Sequence, residues 1–248
     1  MKLKSFVLFV LGAACLCLTA RADEAPSIFK KANADFAAGH FREAVDGYEQ
    51  LVGSGRWSAN LFYDLGNAYF RAGNSGKAIL NYERALALDP KQPEATANLR
   101  VVRDEARALE MRRSETDRYI AFATSTQWTI AAAVGFWIAA FAAVGWFFRR
   151  GKSAVAATVF VCGILASGIA TYATWTIENG SGGRALAVIT ADKIQARLAT
   201  ADNSGTVLAL PPGSEVQVLN TRGGWVYAAL PNDLRGWIPA TAAELVRL

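Results

Sequence analysis

The chain has 248 residues, 52% of them hydrophobic, and a formal charge of +5. Three of the positive charges, Lys2, Lys4 and Arg21, fall in the first 22 residues, where there is no acid, so the remainder stands at +2. Near-neutrality, with no Lys/Arg run interleaved with aromatics, excludes a broad nucleic-acid surface. The only cysteines, Cys15, Cys17 and Cys162, lie in apolar runs, which excludes a disulfide framework or a thiol-ligated zinc site in the soluble segments.

The N-terminus reads Met-Lys-Leu-Lys, then an apolar core from Phe6 to Leu18, then Ala20-Arg21-Ala22. Basic start, short apolar core and small-x-small ending are the order of a secretory signal peptide, here residues 1–22, with cleavage expected after Ala22. An uncleaved N-terminal anchor is the alternative. Neither Cys15 nor Cys17 has leucine three residues before it, which argues against a lipoprotein.

Residues 25–92 repeat at a fixed offset. Asn33, Ala34, Phe36, Ala38, Gly39, Ala44, Tyr48 and Glu49 recur 34 positions later as Asn67, Ala68, Phe70, Ala72, Gly73, Ala78, Tyr82 and Glu83. That period, with Phe62, Leu65-Gly66, Tyr69, Ala78, Tyr82 and Pro90 in the second copy, resembles the tetratricopeptide (TPR) repeat. Two repeats are expected, 25–58 and 59–92. Gly66 and Ala78 are small where paired helices cross, Gly73 suits the turn between them, and Pro90 cannot continue the second helix. The first copy departs from the pattern, with Lys31-Ala32 in place of Leu-Gly and a Gly53-Ser54-Gly55 loop at its end. A capping helix from about Pro93 to Met111 covers the open end of the stack and completes an all-α unit over 25–113. Stacked TPR helices form a concave peptide-binding surface on the first helix of each pair. Carried over, its positions are Phe29, Asn33, Phe36 and Ala37, then Tyr63, Asn67, Phe70 and Arg71. The resemblance implies that Asn33 and Asn67 hold a ligand backbone or C-terminal carboxylate. The competing reading puts Phe36 and Phe70 in the core and lets the asparagines satisfy local hydrogen bonds.

Two uncharged runs follow, Trp128 to Phe148 and Ser153 to Ile177, each long enough to cross a hydrocarbon layer of roughly 30 Å as a helix. The connector Arg149-Arg150-Gly151-Lys152 is too short for anything but an antiparallel hairpin. Its positive charge assigns it to the cytoplasm, and both flanking segments to the other side. An exported N-terminus requires the same orientation. Gly163 with Ser167, and Ala166 with Ala170, give spacing that lets helices approach closely.

Glu-Asn-Gly-Ser-Gly-Gly after Ile177 reads as a flexible linker. Residues 184–248 then break into short β-prone runs: Ala187 to Thr190, Val207 to Leu210, Glu215 to Leu219, Trp225 to Leu230 and Gly236 to Pro239. Pro211-Pro212-Gly213, Thr221-Arg222-Gly223-Gly224 and Pro231-Asn232-Asp233 separate them. Five strands in so short a segment predict a small closed all-β barrel. Leu-Pro-Pro-Gly-Ser-Glu-Val-Gln-Val-Leu, Gly-Gly-Trp-Val-Tyr and Arg-Gly-Trp-Ile-Pro resemble a bacterial SH3-like domain. The family's early Val-Arg-x-x-Pro stands here as Ala196-Arg197-Leu198-Ala199, which puts peptidoglycan binding in doubt. Trp225 and Tyr227 are candidate ligand-surface residues. Trp237 is expected in the core.

No nucleophile with a partner base, phosphate-cradling loop or paired carboxylate frame is recognisable, so a non-enzyme without cofactor or metal is expected. His40 reads as a solvated surface residue. The order signal peptide, TPR pair, membrane hairpin and SH3-like domain makes a multidomain membrane protein. With Tyr-Asp-Leu-Gly-Asn-Ala-Tyr-Phe (63–70) and Tyr-Glu-Arg-Ala-Leu (82–86), it resembles BatE-type proteins of bacterial aerotolerance operons. That resemblance implies an inner-membrane scaffold with both soluble domains extracytoplasmic. Implied partners are membrane or periplasmic proteins, among them von Willebrand A domain proteins, and the relatives are also associated with MoxR-type ATPases. A peptidoglycan-binding anchor or sensor is the alternative.

Overall fold

The computed structural model describes residues 24–113, 115–148, 154–180, 182–201 and 203–247. The expected signal peptide and the basic connector 149–152 lie outside the described residues. Five helices come first: α1 Glu24–Ala37, α2 Phe41–Gly53, α3 Ala59–Arg71, α4 Ser75–Leu88 and α5 Pro93–Ala106. They form two helical pairs plus a capping helix, as the 34-residue period requires. Gly39 and Gly73, one period apart, sit at φ +82° and +83° between paired helices, a backbone region costly for any residue with a Cβ. Ser58 Oγ accepts from the Leu61 N–H at 3.1 Å to start α3, and Asn74 Oδ1 accepts from the Lys77 N–H at 3.0 Å to start α4.

The two pairs solve the same crossing differently. In the second, a Cβ on Gly66 would lie 2.7 Å from Tyr82 Cε1. In the first, Ala32 replaces that glycine, and the small residue comes from the partner helix: a Cβ on Gly47 would lie 2.9 Å from Ala32 Cβ. The departure from the repeat pattern at 31–32 is thus compensated fifteen residues on. The cap is shorter than the expected stretch to Met111, because Arg107 turns left-handed at φ 52° and ends α5.

A short helix, α6 Glu115–Ile120, leads into α7 Ser125–Phe148 and α8 Ala154–Asn179. The last two are long and apolar enough to cross a membrane, with mean hydropathy 2.0 in each. They pack along a seam of small residues. A Cβ on Gly135 would lie 2.9 Å from Ser167 N, and one on Gly163 would lie 2.9 Å from Ala139 N. Ser167 Oγ donates to the Ala132 carbonyl at 3.0 Å. Gly163, Ala170 and Ala173 are buried on this seam, but Ala166 is exposed, so only part of the expected small-residue pattern is used.

The C-terminal segment forms one antiparallel sheet of seven strands: β1 Leu186–Ile189, β2 Ile194–Arg197, β3 Thr206–Leu210, β4 Glu215–Arg222, β5 Trp225–Ala229, β6 Arg235–Pro239 and β7 Ala243–Leu245. Its order is β3-β2-β6-β5-β4-β1-β7. The expected closed five-stranded barrel is not what forms: β3 and β7 are free edges, and the sheet is open. The two additional strands, β2 and β7, are four and three residues long, too short for an alternating pattern to show. Ala187, Ile189, Ala196, Val216, Val226, Ala228 and Ile238 make its core. Trp237 is not among them. It is half-buried on the opposite face of β6, where alternate residues point away from Gly236 and Ile238.

Across the predicted flexible linker the chain closes back on itself, Ser181 lying outside the described residues. The Arg184 N–H donates to the Glu178 carbonyl at 2.9 Å, and the Arg184 side chain pairs with the Glu178 carboxylate. This closure holds the sheet against the helices. Leu186, Val188 and Val246 share one buried cluster with Ile79, Leu80 and Val102.

Candidate functional site

The repeat positions that resemble a peptide groove are built twice in the same way. Phe29 of α1 lies 5.9 Å, ring to ring, from Tyr48 of α2, and Tyr63 of α3 lies 6.1 Å from Tyr82 of α4. The Tyr48 hydroxyl donates to Asn33 Oδ1 at 2.7 Å, and the Tyr82 hydroxyl donates to Asn67 Oδ1 at 2.7 Å. Each asparagine therefore spends its acceptor locking the two helices of its own repeat, the structural role weighed against ligand binding above. Burial lifts the Tyr48 hydroxyl to about 12, aided by the charge of Asp64. Burial also lifts the Asp64 carboxyl, three residues before Asn67 on α3, to about 6.

The remaining positions occupy the same helices. Phe36 and Phe70 are half-buried and pack against the main core. Phe36 meets Phe41 edge-on at 5.4 Å, and the Arg71 guanidinium sits over the Phe41 ring, 4.4 Å from its centroid. Ala37, Asn33 and Arg71 are exposed. One residue enters that the repeat pattern does not carry. Asn98 of α5 donates to Asn67 Oδ1 at 2.9 Å and to the Tyr63 hydroxyl at 3.3 Å. It falls 31 residues after Asn67 rather than 34, so the period does not find it.

On the sheet, Trp225 and Tyr227 are half-buried and share the face opposite the core, since Val226 and Ala228 take the inward positions of β5. Tyr227 pairs across strands with Trp237, ring centroids 5.0 Å apart. These three aromatics form one patch, remote in sequence from the repeat groove.

A third constellation has no sequence signature. Arg103 of α5 pairs with Glu83 of α4 and with Glu215 of β4, and its Nη1 lies 3.4 Å from Glu110 Oε2. Arg113 Nη2 lies 3.7 Å from Glu83 and 3.8 Å from Glu215. Glu83 and Glu215 are both buried. Burial first, then the neighbouring Glu83 charge, push the Glu215 carboxyl up to about 7 against the opposing pull of the two guanidinia. The same strand end receives the chain after α5: the Glu215 N–H donates to the Leu109 carbonyl at 2.8 Å, and the Met111 N–H donates to Glu215 Oε2 at 2.9 Å. Buried charges at positions 83, 103 and 215 lie too far apart in sequence for spacing to link them.

Among the described residues, no group of three or more His, Cys, Asp or Glu side chains could hold a metal ion. No curated protein matches the chain in a sequence comparison. Residues 27–91 match the family model described as tetratricopeptide repeat. That span coincides with the two helical pairs, so this part of the chain is a TPR-like unit, a scaffold type that binds other proteins and is typically not an enzyme.

Proposed function

We propose that this chain is a membrane-anchored, extracytoplasmic adaptor that binds a partner protein's extended or C-terminal segment along α1 and α3. The observation that carries this reading is the face that the sheet leaves uncovered. Gly76, Ile79 and Arg84, all on the second helix of the second repeat, meet the sheet, whereas Asn33, Asn67 and Arg71 lie on first helices. Asn33 and Asn67 use Oδ1 for the tyrosines, which leaves each Nδ2 as the donor for a ligand carbonyl or carboxylate. Arg71 adds a cation at the groove edge, and Phe29, Phe36, Tyr63 and Phe70 supply apolar surface between the polar contacts.

Asn33→Asp combined with Asn67→Asp tests the groove. Aspartate keeps an acceptor for each tyrosine but removes the amide donor and repels a carboxylate. The full chain, purified from its own membranes in detergent, should keep its melting temperature and lose a partner identified by mass spectrometry. Equal recovery with both substitutions would discard the groove. Single cysteines at Ser54, Gly151 and Ser204 in a cysteine-free background test orientation. An impermeant thiol reagent on spheroplasts should label the first and third only. The direct packing of the sheet on the helical repeats supports placing both on one side of the membrane. Membership of a Bat-type envelope complex, with von Willebrand A domain partners, rests on the resemblance of domain order.

A second reading is favoured by the patch of Trp225, Tyr227 and Trp237. Its half-buried rings, on the sheet face that also carries Arg235, suit an SH3-like ligand surface, including one for peptidoglycan. A pull-down on purified peptidoglycan with the full chain, compared with Tyr227→Ala, decides it.

A further inference from the structure

A cavity of about 850 Å³ lies where the helical repeats, the sheet and the ends of the two apolar helices meet. Ser125 and Thr126 at the start of α7 and Thr176 to Glu178 at the end of α8 line it. Leu88, Leu99, Ile120 of α6 and Val246 add apolar lining. When α7 and α8 cross a membrane, this cavity opens at the bilayer surface, the depth at which headgroups sit. The aromatic residues beside it suit that depth: Tyr119 and Phe122 are 75% and 63% exposed. Phe122 meets Trp128 edge-on at 5.1 Å, and Trp128 Nε1 ties α6 to α7 through the Ile120 carbonyl at 3.1 Å.

The lining is charged as well as apolar. Four arginines and four carboxylates contribute to it, so its formal charge sums to zero. Two of the arginines, Arg103 and Arg247, carry buried Nε–H donors with no hydrogen-bond partner among the described residues. The Arg103 side chain is only 10% exposed, so water does not readily meet that demand. Both nitrogens are sealed beneath the wall, so the guanidinia that an occupant meets are the exposed ones, and these favour acceptor oxygens. Arg113 and Arg118, more than half exposed, add cationic donors, while Glu110 adds an exposed carboxylate. An occupant with net charge would unbalance a neutral, partly desolvated site. One carrying both a phosphodiester and an ammonium would not. The volume also falls in the range of pockets that bury small ligands, roughly 300–1,000 Å³.

We propose that this cavity binds the headgroup of a zwitterionic phospholipid, its phosphodiester facing the arginines, its ammonium facing the carboxylates, and its glycerol and upper acyl carbons against Leu88, Leu99 and Ile177. The inference rests on α7 and α8 being membrane spans, and carbonate extraction of membranes tests that separately, because an embedded chain stays in the pellet.

Native mass spectrometry of the full chain, exchanged into mixed micelles, tests the lipid. With phosphatidylethanolamine, one tightly held lipid per chain should survive detergent washing. With phosphatidylglycerol, occupancy should fall at least tenfold. Soluble glycerophosphoethanolamine at the same concentration should not displace the lipid, and displacement would assign the site to a free headgroup instead. Ala87→Phe fills the cavity without touching an ion pair and should lower occupancy at least tenfold with an unchanged melting curve. Arg118→Gln, on an exposed side chain, should lower it several-fold and guards against misfolding of the first variant. Equal lipid retention by wild type and both variants, preference for phosphatidylglycerol, or a peptide in place of the lipid would each overturn the proposal.

Discussion

The guanidinium of Arg103 hydrogen-bonds the carboxylate of Glu215, 112 residues further along the chain and beyond both apolar helices. The pair joins the capping helix α5 to strand β4, so the segments before and after the hairpin close on each other. The same guanidinium holds Glu83. One cation thus serves two buried acids, with Arg113 as a more distant second.

Removing that cation leaves Glu83 and Glu215 buried without their nearest counter-charge. Arg103→Ala should destabilise the soluble body by roughly 3–5 kcal/mol. The loss should show in hydrogen exchange of β1 and β4 before that of α1 and α2. Adding Glu215→Gln should recover part of it, because a neutral amide needs no counter-ion. A single variant as stable as wild type would show that the two parts dock through apolar contacts alone.

Docking should weaken as pH rises. Glu215 titrates near 7 when folded and at about 4.3 in an unfolded chain. A raised folded value means the folded state holds the extra proton, so the contribution is fully present below the unfolded value and lost as pH rises through about 7. Arg103 and Arg113 oppose the shift, while Glu83 and burial drive it. Limited proteolysis of the 107–113 segment should accelerate between pH 5 and pH 8. Glu215→Gln should flatten that profile.

A chain ending at residue 113 should melt well below the full protein. It would expose the faces of Ile79, Leu80 and Val102 that share a cluster with Leu186, Val188 and Val246. Each of those three lost side chains removes on the order of 1.5–3 kcal/mol of apolar burial. Circular dichroism melts of the two chains check this, and equal midpoints would show the helical unit to be self-sufficient.

Two glycines should resist substitution for different reasons. Gly66→Trp forces a ring into the space of Tyr82, whose Cε1 lies 2.7 Å from a Cβ at that site, and should unfold the second repeat. Gly213→Ala meets strain at φ +86° and places a Cβ 2.1 Å from Ile79 Cδ1. Its effect should appear as loss of docking, measured by exchange at β1, with the repeats still helical.

The sequence by itself determined the local architecture. The 34-residue period placed α1 to α4, Gly73 and Pro90 marked their turn and end, and two uncharged runs marked α7 and α8. These signals are legible because each is short-range: a helix pair, a turn or an apolar run needs only neighbours in sequence to show its pattern. The places of Asn33 and Asn67 were half legible, since the repeat marked them as equivalent positions, while only the positions of Tyr48 and Tyr82 show which of their atoms are engaged. Tertiary structure alone decided that the sheet stays open, that Trp237 faces away from the core, that Arg184 closes back on Glu178, and that Glu83, Arg103 and Glu215 meet. Those outcomes depend on long-range packing. A strand of three or four residues carries too little pattern to announce itself, and a buried charge gives no sign in sequence of the distant partner that offsets its desolvation.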